Sequence, residues 1–208
     1  MNASLENLLR HPRIFRPGRK EGTAPPGVAT GFLELDRLLP WGGWPATGLS
    51  ELLLRRDGQG ELQLLLPVLA RLSCDGRWLA WVDPPHLPYA PALAAAGLDL
   101  SRLMIVHPPG IAESIWAAEQ ALRAGVCGAV LLWADRLDFP SLRRLQLAAE
   151  EGGCGGFLFR PRVWARQSSP AMLRLAVEQR EQDLRVELLK LRGGSPCAVN
   201  IPLSTPRG

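Results

Sequence analysis

The sequence predicts an α/β protein: a parallel sheet with helices on both faces and a C-terminal antiparallel hairpin. Three observations predict it. Five short apolar runs carry almost no charge, over residues 49–54, 77–82, 103–106, 129–133 and 156–159, as strands buried on both faces do. Helix-length segments over 61–72, 88–96, 112–123 and 138–151 separate them, the alternation expected of βα units with right-handed crossovers. After residue 172 the pattern changes to alternation of apolar and polar residues, which predicts a hairpin over 172–192 added to the sheet edge. The chain has 208 residues, 47% hydrophobic and 21% charged, enough apolar content for one packed core and too much for global disorder.

Taken in order, residues 1–26 read as a short helix opened by Ser4, then an extended basic tether rich in Pro, Gly and Arg. Residues 27–208 form the globular domain. Phe32, Leu35, Leu38 and Leu39 lie at helical spacing, and Pro40-Trp41-Gly42-Gly43-Trp44-Pro45 ends that segment. Pro67 is expected to kink the helix over 61–72. In the helix over 112–123, Ile115, Trp116, Ala118 and Leu122 are expected to face inward. Asp138 reads as an N-cap, with Pro140 in the first turn of its helix. The residues after Gly193-Gly194 read as extended. Trp78, Trp81 and Trp133 are expected in the core.

The place to look for chemistry in such a sheet is the carboxyl end of its strands. The first turn reads Arg55, Arg56, Asp57, Gly58, Gln59, Gly60, Glu61, Leu62. A phosphate-binding loop there would need a lysine and a hydroxyl after its last glycine. Glu61 and Leu62 hold those positions, so the loop is degenerate: a carboxylate would repel a triphosphate and leucine cannot ligate magnesium. No cofactor and no metal is expected. Cys74, Cys127, Cys154 and Cys197 lie far apart and read as reduced thiols. His86 has no nucleophile partnered with it.

The stretch from Gly27 to about Arg160 resembles the RecA core with its catalytic residues replaced. Trp78 to His86 is similar to the RecA segment ending in Ile-Asp-Ala-Glu-His, and Ala94 to Leu103 to its Leu-Gly-Val-Asp segment. On that match the catalytic glutamate becomes Pro85 and the metal-binding aspartate Trp133. Asp135 falls two residues late, and the polar sensor falls near Arg160-Pro161. Gly31-Phe32-Leu33-Glu34-Leu35-Asp36, Leu39 to Pro45 and Gly48 to Leu53 resemble the ImuA family. The SulA family shares part of the pattern, including the leucines from Leu62 to Leu69. The ImuA resemblance implies a non-catalytic, RecA-like adaptor in SOS-induced translesion DNA synthesis and mutagenesis. Its implied partners are RecA, an ImuB-type polymerase-like protein and an error-prone polymerase subunit. The alternative it leaves is a SulA-like inhibitor of cell division acting on the tubulin-like division protein.

Charge is segregated. Residues 1–20 carry five basic side chains and one acid, residues 21–159 ten and fifteen, and residues 160–208 nine and four. Basic ends suit a polyanion or an acidic partner. Arg160, Arg162 and Arg166 with Trp164 are candidate contacts for single-stranded DNA or a partner, and Trp41 and Trp44 are candidate anchors for a protein partner. No run of about 18 uncharged apolar residues exists and the start lacks a signal-peptide pattern, so no membrane contact and a cytoplasmic location are expected.

Overall fold

The computed structural model describes residues 27–181, 183–191 and 196–202. The helix and tether expected over 1–26 lie outside them. The fold is mixed α/β around an eight-stranded sheet in the order β3-β2-β4-β5-β1-β6-β7-β8. The strands are β1 Gly48–Leu54, β2 Trp78–Val82, β3 Leu103–Val106, β4 Cys127–Trp133, β5 Gly155–Pro161, β6 Leu173–Gln179, β7 Asp183–Leu191 and β8 Cys197–Pro202. From β3 across to β6 every pairing is parallel; β6–β7 and β7–β8 are antiparallel.

Helices α1 Leu33–Asp36, α2 Glu61–Cys74, α3 Ala90–Ala95, α4 Ile111–Arg123 and α5 Phe139–Glu151 cover the sheet. Two apolar cores result, because neighbouring residues of a strand point to opposite faces. One joins Leu52, Leu54, Leu79, Trp81, Leu131 and Phe157 to Leu64, Leu65, Val68 and Leu69 of α2. The other joins Leu49, Ala80, Val130 and Leu158 to Ala118 and Leu122 of α4 and Leu142 and Leu145 of α5. Asp138 caps α5 as expected, its carboxylate accepting the Ser141 amide at 2.9 Å.

Four expectations need correction. The segment 27–39 holds only the single turn α1. There the Thr30 hydroxyl accepts the Phe32 amide at 3.0 Å and Asp36 accepts the Thr30 amide at 2.8 Å, which satisfies local donors without further helix. The hairpin is not the sheet edge, since β8 pairs beyond β7. Trp116 is 62% exposed: Ile115, Ala118 and Leu122 share the inward face of α4, and Trp116 lies on the far side. Trp78 is also partly exposed, under the guanidinium of Arg102 at 5.5 Å, whereas Trp81 and Trp133 are in the core as expected. Among the described residues no helix is long and apolar enough to cross a membrane.

Candidate functional site

The carboxyl ends of β1, β2, β4 and β5 surround a cavity of about 390 Å³. Its floor is aromatic: Trp133 and Phe159 stack with ring centroids 4.5 Å apart, and Trp81 lies tilted behind Trp133 at 5.8 Å. Arg55, Arg56, Asp57, Pro85, Asp135 and Arg160 line its sides. Segments that follow the parallel strands bring further exposed apolar side chains to the same edge of the sheet. Leu87 and Tyr89 follow β2, Ile111 follows β3, Phe139 follows β4 and Val163 follows β5.

The turn after β1 closes on itself. The Gln59 side-chain oxygen accepts the amides of Arg55 at 3.0 Å and Arg56 at 3.4 Å, and a Glu61 oxygen accepts the Gly58 amide at 2.8 Å. The amides of Arg55, Arg56 and Gly58 are therefore occupied by the chain's own acceptors. Gly60 holds φ at 82°, and a Cβ there would run into Leu184, so both backbone and packing require glycine. Arg55 lies 3.6 Å from Glu178; Arg56 is exposed and has no ion pair among the described residues. Leu62 packs half-buried against the α2-side core.

Behind the cavity sits a charged cluster that sequence reasoning missed. Glu51, in the middle of β1, has no exposure. Arg160 of β5 and Arg174 of β6 converge on its Oε2, at 3.4 and 3.3 Å, and the Ser169 hydroxyl donates to its other oxygen. Arg160 also donates to the Leu137 carbonyl and to Gln167; Arg174 donates to the carbonyls of Trp164, Ala165 and Gln167. These bonds pin the 161–171 connection over the ends of β1 and β6. Burial pulls the Arg160 pKa down, and the Glu51 charge beside it pushes back. The one sequence signal was an acid inside an otherwise apolar strand, Leu49-Ser50-Glu51-Leu52.

This cluster corrects the reading of the basic segment as an exposed contact surface. Arg160 is 2% exposed, so it faces the protein interior and not a nucleic acid. Arg162 pairs with Glu187 at 2.6 Å. The Trp164 indole donates to Asp135 at 3.0 Å, and its ring lies 5.5 Å from the Arg160 guanidinium. Arg166 alone of the four is exposed. Trp44 is buried edge-on against Phe157 at 5.3 Å, which removes it as a surface anchor; Trp41 is half-buried. His86 is exposed.

Comparison with known proteins gives one family. The family model described as cell division inhibitor SulA matches residues 48–156. The chain is 37% identical over 119 residues to the cell division inhibitor SulA of Klebsiella aerogenes, covering 56% of this chain and 70% of that one. It is 34% identical over 119 residues to SulA of Pectobacterium atrosepticum, covering 56% and 71%. A crystal structure of SulA from Pseudomonas aeruginosa shares 30% identity, covers 54% of this chain and 97% of that one, and superposes with a TM-score of 0.46.

These matches overturn the ImuA resemblance. Two of the three motifs that carried it, Gly31–Asp36 and Leu39–Pro45, lie outside the matched segment, and what lies inside it is SulA. With ImuA go the translesion-synthesis and mutagenesis role and the partners RecA, the ImuB-type protein and the error-prone polymerase subunit. The RecA-like core and its degenerate phosphate loop draw no support from the matches either. The family model spans more than half of the chain and the Klebsiella relative is matched over most of its length: the chain belongs to the SulA family of cell division inhibitors.

Proposed function

We propose that the protein inhibits cell division by docking on the tubulin-like division protein and blocking its assembly, in the SOS setting already read from the sequence. The observation that carries this reading is the 37% identity over 70% of the Klebsiella inhibitor's length. The geometry supports a binding role. The turn after β1 satisfies the amides of Arg55, Arg56 and Gly58 from its own side chains, and the carboxyl edge of the sheet exposes apolar side chains around an aromatic-floored cavity. Exposed apolar groups with arginine among them are the composition of interface hot spots. On this reading the protein acts by occupying a surface, with no chemistry of its own.

The test is light scattering and sedimentation of GTP-driven polymer formation by the purified division protein, with increasing amounts of this chain. Polymer mass is expected to fall to a low residue near stoichiometric addition. Undiminished polymer at several-fold excess would remove the proposal.

A further inference from the structure

We propose that the buried Glu51–Arg160–Arg174 cluster is a positioning device for docking: it holds the turn Arg162–Arg166 so that the Val163 side chain enters an apolar site on the partner protein. That the partner is the division protein rests on the function proposed above. The turn, Arg160 and Arg174 all lie outside residues 48–156, so the family match assigns them nothing.

The charged side chains of Glu51, Arg160 and Arg174 are each at most 6% exposed. Apolar residues of similar volume in such a place often give a fold that is no less stable, so stability alone does not account for them. What apolar residues cannot do is donate directed hydrogen bonds. Arg174 donates to three carbonyls at the C-terminal end of the turn, those of Trp164 at 3.0 Å, Ala165 at 3.1 Å and Gln167 at 2.9 Å. Arg160 donates to the Gln167 side chain at 2.8 Å, and Gln167 in turn donates to the Leu137 carbonyl at 2.9 Å. Glu51 faces both guanidiniums and accepts from Ser169, whose carbonyl accepts from Lys190 at 2.7 Å. A single 3₁₀ turn of five residues is too short to fix its own geometry, so these outside partners set it.

The neighbours of Val163 in the turn are tied down. Arg162 pairs with Glu187 at 2.6 Å, and the Trp164 indole donates to Asp135 at 3.0 Å. Val163 between them is 76% exposed, and it stands at the same edge of the sheet as Leu87, Tyr89, Ile111 and Phe139. A β-branched side chain on a fixed backbone has little conformational freedom left to lose, so burying it against a partner carries a small entropic cost. Its chemistry asks for an apolar site, where removing it from water is favourable. A solvated turn with no docking role would need neither the buried charges beneath it nor an apolar residue standing out of it.

The test compares the full chain with its variants, reading affinity for the purified division protein by titration calorimetry and Tm in parallel. Val163→Asp, at an exposed position, is expected to weaken binding at least about tenfold with Tm unchanged. Glu51→Met, Arg160→Met and Arg174→Met made together replace the charged cluster by an apolar one. That triple variant is expected to keep a Tm close to wild type and to bind about tenfold more weakly. Arg174→Lys keeps the charge beside Glu51 without a fork that spans three carbonyls, and is expected to weaken binding in the same direction. In either background, adding Val163→Asp is expected to cost little more, because the cluster acts through that side chain. Unchanged binding by Val163→Asp would overturn the contact. Unchanged binding by Arg174→Lys would overturn the positioning, whether or not the triple variant folds. In both cases wild-type binding leaves the inhibitor reading standing. Losses from Val163→Asp and Arg174→Lys that simply add would mark a general structural effect and overturn the proposal as well. A wild-type chain that does not bind the division protein removes the function proposed above, and this contact with it.

Discussion

Replacing Glu51 with glutamine removes the carboxylate on which Arg160 and Arg174 converge and leaves two guanidiniums facing a neutral amide in a closed space. Breaking a buried ion pair from one side costs about 3–5 kcal/mol, because a charge remains buried without compensation. Here two cations lose the same anion. The carbonyls of Leu137, Trp164, Ala165 and Gln167 still accept from them, which keeps the loss within that range. For a chain of this length about 1 kcal/mol corresponds to roughly 2–4 °C, so Tm is expected to fall by about 6–20 °C. Urea denaturation and calorimetry at neutral pH measure it. Adding Arg174→Met to Glu51→Gln is expected to cost less than the sum of the two single changes, since it removes one of the uncompensated cations. A loss below about 1 kcal/mol for Glu51→Gln would refute the account of this cluster as a compensated charge centre.

Two further outcomes follow from titrating groups. Burial pushes the Cys154 thiol up to about 12, and Cys127 is raised in the same way. Under native conditions iodoacetamide is therefore expected to label the exposed Cys74 and Cys197 and to spare Cys127 and Cys154, as read by peptide mass spectrometry; labelling of Cys154 at the rate of Cys197 contradicts this packing. The Glu119 carboxyl is held below its usual range by the Arg144 hydrogen bond, with Arg123 adding to it and burial opposing. A lowered folded pKa means that this contribution is complete above the unfolded value of about 4.3 and disappears as pH falls through the folded one. Glu119→Gln is expected to lose about 1 kcal/mol at neutral pH, with the gap to wild type closing in acid. A gap that stays constant across an acid titration would show that the loss is not ionic.

What was legible in the sequence was whatever local pattern controls. The run Leu103–Val106 reads as a strand because four apolar residues stand between a polar turn and His107-Pro108, and β3 has those bounds. Asp138 reads as a cap because it stands before Phe139-Pro140, and it caps α5. The alternation after residue 172 reads as a hairpin because one face of β7 is buried and the other is wetter. Strand β8 gave a weaker signal, since only Ile201 of its six residues is buried. The charged cluster was hidden for a different reason. Arg160 and Arg174 are typical solvated residues by type, and their partner Glu51 lies 109 and 123 positions away. Nothing local marks them as inward. The family was misread for a related reason: the weight fell on a tryptophan-rich turn outside residues 48–156, whose buried Trp44 has its own structural reason in Phe157.

The sheet order has a consequence for biogenesis. The first of the described strands to leave the ribosome, Gly-Leu-Ser-Glu-Leu-Leu-Leu of β1, is flanked on both sides by strands made more than a hundred residues later. At roughly 5–20 residues per second, that segment waits on the order of 5–20 s with both of its ladders empty. Such delayed, non-local closure is slow and leaves a sticky nascent chain. Both ladders of β1 can close only once β6 has been synthesised.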